Sequence, residues 1–370
     1  MKGEIISKSK KIMFVIPSLT FGGVEKFALE YATALKKAGQ HPVVVGIGKN
    51  GPLSEVLLER EIEHHAFKLR FFVGQTRRSF LQNALHFYLK AKPMKADVWM
   101  GISYWCNIMV GLIGPLANAR QRIWNQQSVD ASIPMGRIER LAKKGINAYA
   151  ANGLAPINHI AERHEIPTSS IQRLDNVLEA PLRELTPQFS LAQPRKEIRI
   201  LMVANYFPEK LQTMAIEAVK LLENRRPDVS IRLDLLGRAP GGYFVEQNKA
   251  LAFDLHLYGK VFFHTDNQVK EQLFKQADLG LLATLSEGYS NSIVEYMAYG
   301  LPVLASDILA NRDALGNDFA AAYFENTVEA MASAIVALYD NPEMRLAMGK
   351  YNLQRARERH IFDPIQCWPF

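Results

Sequence analysis

The segment from Leu279 to Asp307 constrains this chain more than any other. It opens with a short apolar run, Leu279 to Ala283, of the kind that is buried on both faces of a parallel sheet. A turn of small residues follows, holding Glu287, Gly288, Ser290, Asn291 and Ser292. Ile293, Val294, Met297 and Ala298 then recur at helical spacing, Gly300 and Pro302 stop the helix, and Val303 to Ser306 reads as the next strand. Strand, acidic turn, helix and strand in this order describe a ligand site at the carboxyl end of a parallel sheet. The spacing predicts a helix starting near Ser292, with its first backbone N–H groups pointing back at the turn, as a phosphate requires. Glu287 and Glu295 flank that position and offer acceptors to sugar hydroxyls. The segment therefore predicts a nucleotide-sugar pocket. Ser292 to Glu295 also has capping-box spacing, so Glu295 has a second reading as the residue that satisfies a helix end.

The same alternation of strand and helix runs through the chain. Strands are predicted from Lys11, over His41 to Ile47, Ala96 to Ile102 and Arg122 to Asn125, at Asn147 and at Ile171. A helix is predicted over Glu25 to Ala38. A second series begins at Ile198 and includes Ile231 to Gly237, Leu255 to Gly259 and Leu279 to Ala283. It ends with helices over Thr327 to Tyr339 and Pro342 to Arg359. Such alternation means parallel sheets covered by helices. Pro181, Pro187 and Pro194 interrupt it. The expected organisation is a first domain over 1–183, a linker over 184–196, a second domain over 197–352 and a tail over 353–370.

A chain of 370 residues accommodates two such domains, and 48% hydrophobic with 22% charged residues is ordinary for a globular protein. Cys106 and Cys367 are too few for a disulfide framework, which fits the cytosol. Val98 to Ala119 carries no charge and is long enough to span a bilayer. Its glycines and its strand-like start are better explained by a strand followed by a buried helix. The net charge is +7, yet no nucleic-acid motif accompanies it. Much of the positive charge lies in the first domain. Arg77 to Lys95 forms a basic helix that carries Phe80, Leu81, Leu85, Phe87 and Leu89. It suits an anionic membrane surface, or simply packs its apolar side on the domain.

At Glu287 and Glu295 the chain resembles the Glu-x7-Glu motif of the family 4 retaining glycosyltransferases. The resemblance extends over nearly the whole chain, including Met13 to Gly46 and Leu201 to Lys210. It implies the GT-B fold: two Rossmann-like, doubly wound parallel-sheet domains facing across a cleft, with the last helix crossing back to the first domain. It further implies that Glu287 meets the donor sugar, that Glu295 meets the ribose, and that the backbone of Asn291 to Ile293 meets the diphosphate. By the same resemblance, the glycine loop Gly22-Gly23 faces the donor phosphate and Lys210 neutralises the diphosphate. Val261 and Phe263 lie on the strand whose backbone holds the base. A glycine turn or a surface lysine accounts for Gly22, Gly23 and Lys210 equally simply. Asp130 matches a position near the acceptor and is the candidate to activate the acceptor hydroxyl. It is also a residue type that caps helices.

The chain departs from that family in two places. The arginine that accompanies Lys210 is absent, Asn205 and Phe207 standing at its two usual positions. Arg238, after the strand end at Gly237, is a nearby substitute. An arginine and a histidine before Asp130 are replaced by Gln127 and Ser128. No Asp-x-Asp pair and no zinc-ligand spacing occurs, so no metal or other cofactor is expected. His64-His65 reads as surface. The implied function is transfer from a nucleotide-diphosphate sugar, with UDP the expected nucleotide, to a glycan or lipid-linked acceptor of the cell envelope. The implied location is cytoplasmic or peripheral on the inner face of the plasma membrane. A nucleotide-sugar epimerase of the same architecture and a catalytically weak binding subunit are the alternatives.

Overall fold

The computed structural model of the protein describes residues 9–71, 76–129, 135–178, 197–361 and 364–370. The chain divides into two compact units, Met1–Val177 with Phe362–Phe370, and Leu178–Ile361. The proline-rich segment expected as a linker lies outside the described residues. The expected boundary at 352/353 falls inside a continuous helix, Pro342–His360, which belongs entirely to the second unit.

The first unit is a seven-stranded sheet in the order β3-β2-β1-β4-β5-β6-β7. Its strands are β1 (Lys11–Ile16), β2 (His41–Gly46), β3 (Glu63–Ala66), β4 (Val98–Ile102), β5 (Gln121–Gln126), β6 (Ala148–Ala151) and β7 (Ile171–Arg173). All neighbours are parallel. Helices α1 (Gly23–Lys37) and α2 (Leu53–Glu59) pack on one face, in a core with Phe14 and Met100. Helices α3 (Arg77–Ala91), α4 (Tyr104–Ile113) and α6 (Leu154–His164) cover the other, with Trp99 and Trp124. Helix α5 (Arg137–Gly145) joins them there and crosses α4 closely. A Cβ on Gly145 would lie 1.9 Å from the Gly111 carbonyl, and one on Gly111 would lie 2.3 Å from that of Ala142. Glycine is therefore required on both sides of the crossing. This explains the uncharged stretch from Val98 to Ala119: it is a strand and a ten-residue helix with a glycine seam. Among the described residues, no helix is long and apolar enough to cross a membrane. Trp368 of the terminal segment is buried in the first unit against Phe14 and Tyr31, ring centroids 5.7 and 6.0 Å away.

The second unit has six parallel strands in the order β10-β9-β8-β11-β12-β13. They are β8 (Glu197–Val203), β9 (Ser230–Leu236), β10 (Val261–His264), β11 (Leu279–Leu282), β12 (Val303–Ser306) and β13 (Tyr323–Phe324). The helices are α7 (Gln212–Arg225), α8 (Tyr243–Asp254), α9 (Lys270–Gln276), α10 (Asn291–Ala298), α11 (Leu309–Leu315), α12 (Val328–Tyr339) and α13 (Pro342–His360). The strand expected at Leu255 to Gly259 is instead a turn. Leu255 caps α8, and His256 and Gly259 take φ of 56° and 68°. Left-handed residues cannot extend a strand, so β10 starts only at Val261.

Candidate active site

In the second sheet, β8 and β11 are neighbours whose sequence connections run off to opposite sides. Ligands of open α/β sheets bind outside the carboxyl ends at such a switch point. Three loops meet there.

The loop after β8 makes one short helical turn, Pro208–Lys210. Leu211 then takes φ 50° and ψ 33°, a left-handed conformation that is costly for leucine, at the point where the chain enters α7. The loop after β11 is fastened to this turn. Leu285 N donates to Glu209 O at 2.8 Å, and the Thr284 hydroxyl donates to the same carbonyl at 3.2 Å. Lys210 Nζ consequently donates to Glu287 Oε1 at 2.6 Å and lies 3.4 Å from Thr284 Oγ1. The Lys210 and Glu287 side chains are 15% and 21% exposed, so a ligand can reach both. Burial pushes the Glu287 carboxyl above the usual carboxylate range; Lys210 opposes this and Glu209 adds to it. Behind the pair, Thr284 N donates to Ser306 Oγ at 2.8 Å and Ser306 Oγ donates to Asn326 Oδ1 at 2.6 Å. Asn326 Nδ2 closes the ring by donating to Thr284 O at 3.1 Å. This ring ties the carboxyl ends of β11 and β12 to the loop after β13.

Helix α10 begins after the N-cap residue Ser290, which makes no side-chain cap hydrogen bond. Its hydroxyl donates instead to Asn311 Oδ1 at 2.7 Å. Asn291, Ser292 and Ile293 are thus the first three helical residues, and the positive end of the helix opens beside Glu287 with no side-chain cap. With the cap at Ser290, the capping-box partner position falls on Ile293. Glu295 therefore cannot be that partner; its Oε1 accepts from Lys270 Nζ at 2.7 Å.

The loop after β9 approaches β8 closely. A Cβ on Gly237 would lie 2.0 Å from Ala204 O, so no side chain fits there. Asn205 Oδ1 accepts from Arg238 N at 3.1 Å, and Tyr206 N donates to Arg238 O at 2.9 Å. Asn205, which stands where a cation was expected, thereby fixes the backbone of one. Arg238 is exposed, and no hydrogen bond or ion pair of its guanidinium is found among the described residues.

Residues 186–355 match the family described as "Glycosyl transferases group 1". That match lies in the second unit, whose described residues carry the site. The chain is 21% identical over 366 residues to an uncharacterized glycosyltransferase of Haemophilus influenzae, covering 97% of this chain and 99% of that protein. Among solved structures it is similar to Anabaena HepE in complex with UDP-glucose, with a TM-score of 0.79 at 16% identity and 97% of each chain covered. It is also similar to WaaG, a glycosyltransferase involved in lipopolysaccharide biosynthesis, with a TM-score of 0.70 at 15% identity, covering 96% of this chain and 98% of WaaG. These likenesses establish the GT-B fold, with two Rossmann-like units of seven and six parallel strands.

Within the second unit, Lys210, Glu287, Gly288, Ser290, Asn291, Ser292 and Ile293 gather at one switch point. Asn205, Gly237 and Glu295 border it. Val261 and Phe263 pack their side chains on the core, which leaves only their backbone for a ligand. Val261 starts β10 and is the farther of the two from its carboxyl end. Gly22 and Gly23 belong to the first unit, at the start of α1. Gly22 is extended, with φ −167°, and neither glycine has a positive φ. Asp130 lies outside the described residues. Sequence reasoning missed Thr284, Ser306, Asn326, Asn311 and Lys270. Thr284 sits beside the Glu287 turn and could have been found there. The others carry no local signal for the site, because the bonds that tie them to it span 20 to 42 residues.

Proposed function

We propose that the protein is a retaining, family 4-type glycosyltransferase. It moves a sugar from a UDP-sugar to a glycan or lipid-linked acceptor in cell-envelope polysaccharide or glycolipid synthesis. The observation that carries this reading is the Lys210–Glu287 pair beside the open start of α10. A cation and a helix N-terminus serve a diphosphate, and a buried carboxyl serves sugar hydroxyls. HepE binds UDP-glucose and WaaG works in lipopolysaccharide biosynthesis, which supports the donor and the setting.

In this reading the bond between the anomeric carbon and the diphosphate oxygen breaks. Lys210, Arg238 and the α10 dipole hold the charge that develops on the leaving group. The acceptor hydroxyl, oriented by Asp130, attacks from the face the diphosphate leaves, and a diphosphate oxygen takes its proton. Glu287 holds the transferred sugar and Glu295 the ribose. The Asn291–Ile293 backbone and Gly22-Gly23 approach the phosphates, and the β10 backbone at Val261 and Phe263 holds the base. The reading assigns no metal ion, and it places the protein at the inner face of the plasma membrane.

A thermal-shift screen of nucleotides and nucleotide sugars is the first test, since a ligand of the native state raises the melting temperature. UDP and one UDP-sugar are expected to stabilise the protein, and the UDP-sugar is expected to be consumed with added EDTA present. If no nucleotide shifts the transition and no sugar nucleotide is consumed, the reading is wrong. An epimer formed from the UDP-sugar alone would replace it with an epimerase.

A further inference from the structure

Helices α3 and α5 both pack against α4, on the same side of the first sheet. Helix α3 buries Phe80, Ala84, Phe87 and Ala91. Farther round the helix, Leu81, Leu85 and Leu89 are 65%, 58% and 60% exposed. At about 100° per residue these leucines occupy an arc of about 80°, and Arg78 and Lys92 project within the same arc near its two ends. No aspartate or glutamate occurs between Glu63 and Asp97.

Helix α5 repeats the pattern. Ile138 and Leu141 are 38% and 59% exposed, beside exposed Arg137, Arg140 and Lys144. Its single acid, Glu139, is fully buried. Arg163 donates two hydrogen bonds to that carboxylate, at 2.6 and 2.7 Å, and His164 Nε2 lies 3.1 Å from it. The one negative charge of the helix is thus consumed inside the unit, and the outer side shows only cations and apolar side chains.

Exposed leucines interleaved with cations and free of acids match one partner, an anionic bilayer interface. We propose that α3 and α5 together form a two-helix face that docks on anionic phospholipid. The leucines enter the boundary between headgroups and acyl chains, and the cations meet the lipid phosphates. With 15 and 9 residues, neither helix reaches the ~20 needed to span, so the attachment is peripheral. The inference deepens the function proposed above in location only; the donor site plays no part in it.

The test is co-sedimentation of the full chain with vesicles of phosphatidylcholine alone or mixed with phosphatidylglycerol. Binding is expected only to the mixed vesicles, falling with added salt. Arg137→Gln with Arg140→Gln should weaken it roughly fivefold per charge removed. Leu81→Ser with Leu85→Ser should abolish the part of binding that survives high salt. Both variants should keep the thermal shift that the wild type shows with UDP. No binding to either vesicle would overturn the proposal, as would equal binding to both. So would a dimer in solution that dissolves on the leucine changes, since a second copy would then be what covers this face. Vesicle binding without any UDP shift would leave the docking face standing and refute the glycosyltransferase reading.

Discussion

Lys210 Nζ and Glu287 Oε1 lie 2.6 Å apart, on loops that leave the adjacent strands β8 and β11. Neither side chain could hold this place alone: the carboxylate is largely buried, and the ammonium is aimed at it. Lys210→Ala and Glu287→Ala are each expected to lower kcat/KM on the UDP-sugar by ~100-fold or more. The double variant should be little worse than either single one, because the two groups act as a unit. Initial rates, with circular dichroism as the folding check, decide this. Additive losses would mean that the pair is not one functional element. Lys210 is also what holds the Glu287 carboxyl down against burial. Carbon-13 carboxyl titration of Lys210→Ala should therefore show Glu287 taking its proton at higher pH than in wild type.

Arg238 is held by its backbone between Asn205 Oδ1 and Tyr206 N. The phosphate-binding role proposed for Arg238 predicts that Arg238→Ala weakens UDP binding about tenfold, the scale of one charge-assisted contact. Uridine, which has no phosphate, should bind both proteins equally. Isothermal titration with the two ligands separates the outcomes; an equal loss for uridine would assign Arg238 to loop structure instead. Asn205→Arg placed on the Arg238→Ala background should restore part of the UDP affinity.

Gly237 has no room for a side chain, since its Cβ would sit 2.0 Å from a backbone oxygen that cannot swing away. Gly237→Ala should destabilise the second unit by about 3 kcal/mol, the upper range for overpacking. Thermal melts test this, and an unchanged transition would show that the β8 and β9 loops separate easily.

Glu139 supplies a pH-dependent element in the first unit. Burial alone would raise its carboxyl, but hydrogen bonds from His164 and Arg163 outweigh it and hold the group at about 2. A depressed carboxyl stabilises the fold above its unfolded-state pKa of 4.5, and that contribution is lost as pH falls toward about 2. Glu139→Gln should cost ~3 kcal/mol at neutral pH, as for other broken buried pairs. Its deficit against wild type should shrink as pH drops through that window. Parallel melts of the two proteins at several acidic pH values measure this, and a constant deficit would argue against the assignment.

The fold was largely legible in the chain. Apolar runs such as Met13 to Ile16 and Leu279 to Leu282 can only be strands buried on both faces, and the helices between them announce parallel connections. Failure came where local chemistry was ambiguous. Leu255 to Gly259 has the residues of a strand but left-handed backbone at His256 and Gly259. The capping-box spacing of Ser292 and Glu295 was genuine, but the N-cap is Ser290, two residues before Ser292, and this shift changes what Glu295 can do.

By itself, the sequence determined the periodicity, the two series of strands and the turn that carries Glu287, because each depends on residues close together in the chain. Only the tertiary structure decided what those residues meet. The pairing of Lys210 with Glu287, of Lys270 with Glu295, and of Asn205 with the Arg238 backbone each joins segments that follow different strands. Sheet order sets those encounters, and sheet order follows from how the whole unit buries its apolar faces. Glu139 shows the same on the first unit: within its helix it reads as a surface acid among cations, and only packing against Arg163 and His164 turns it inward.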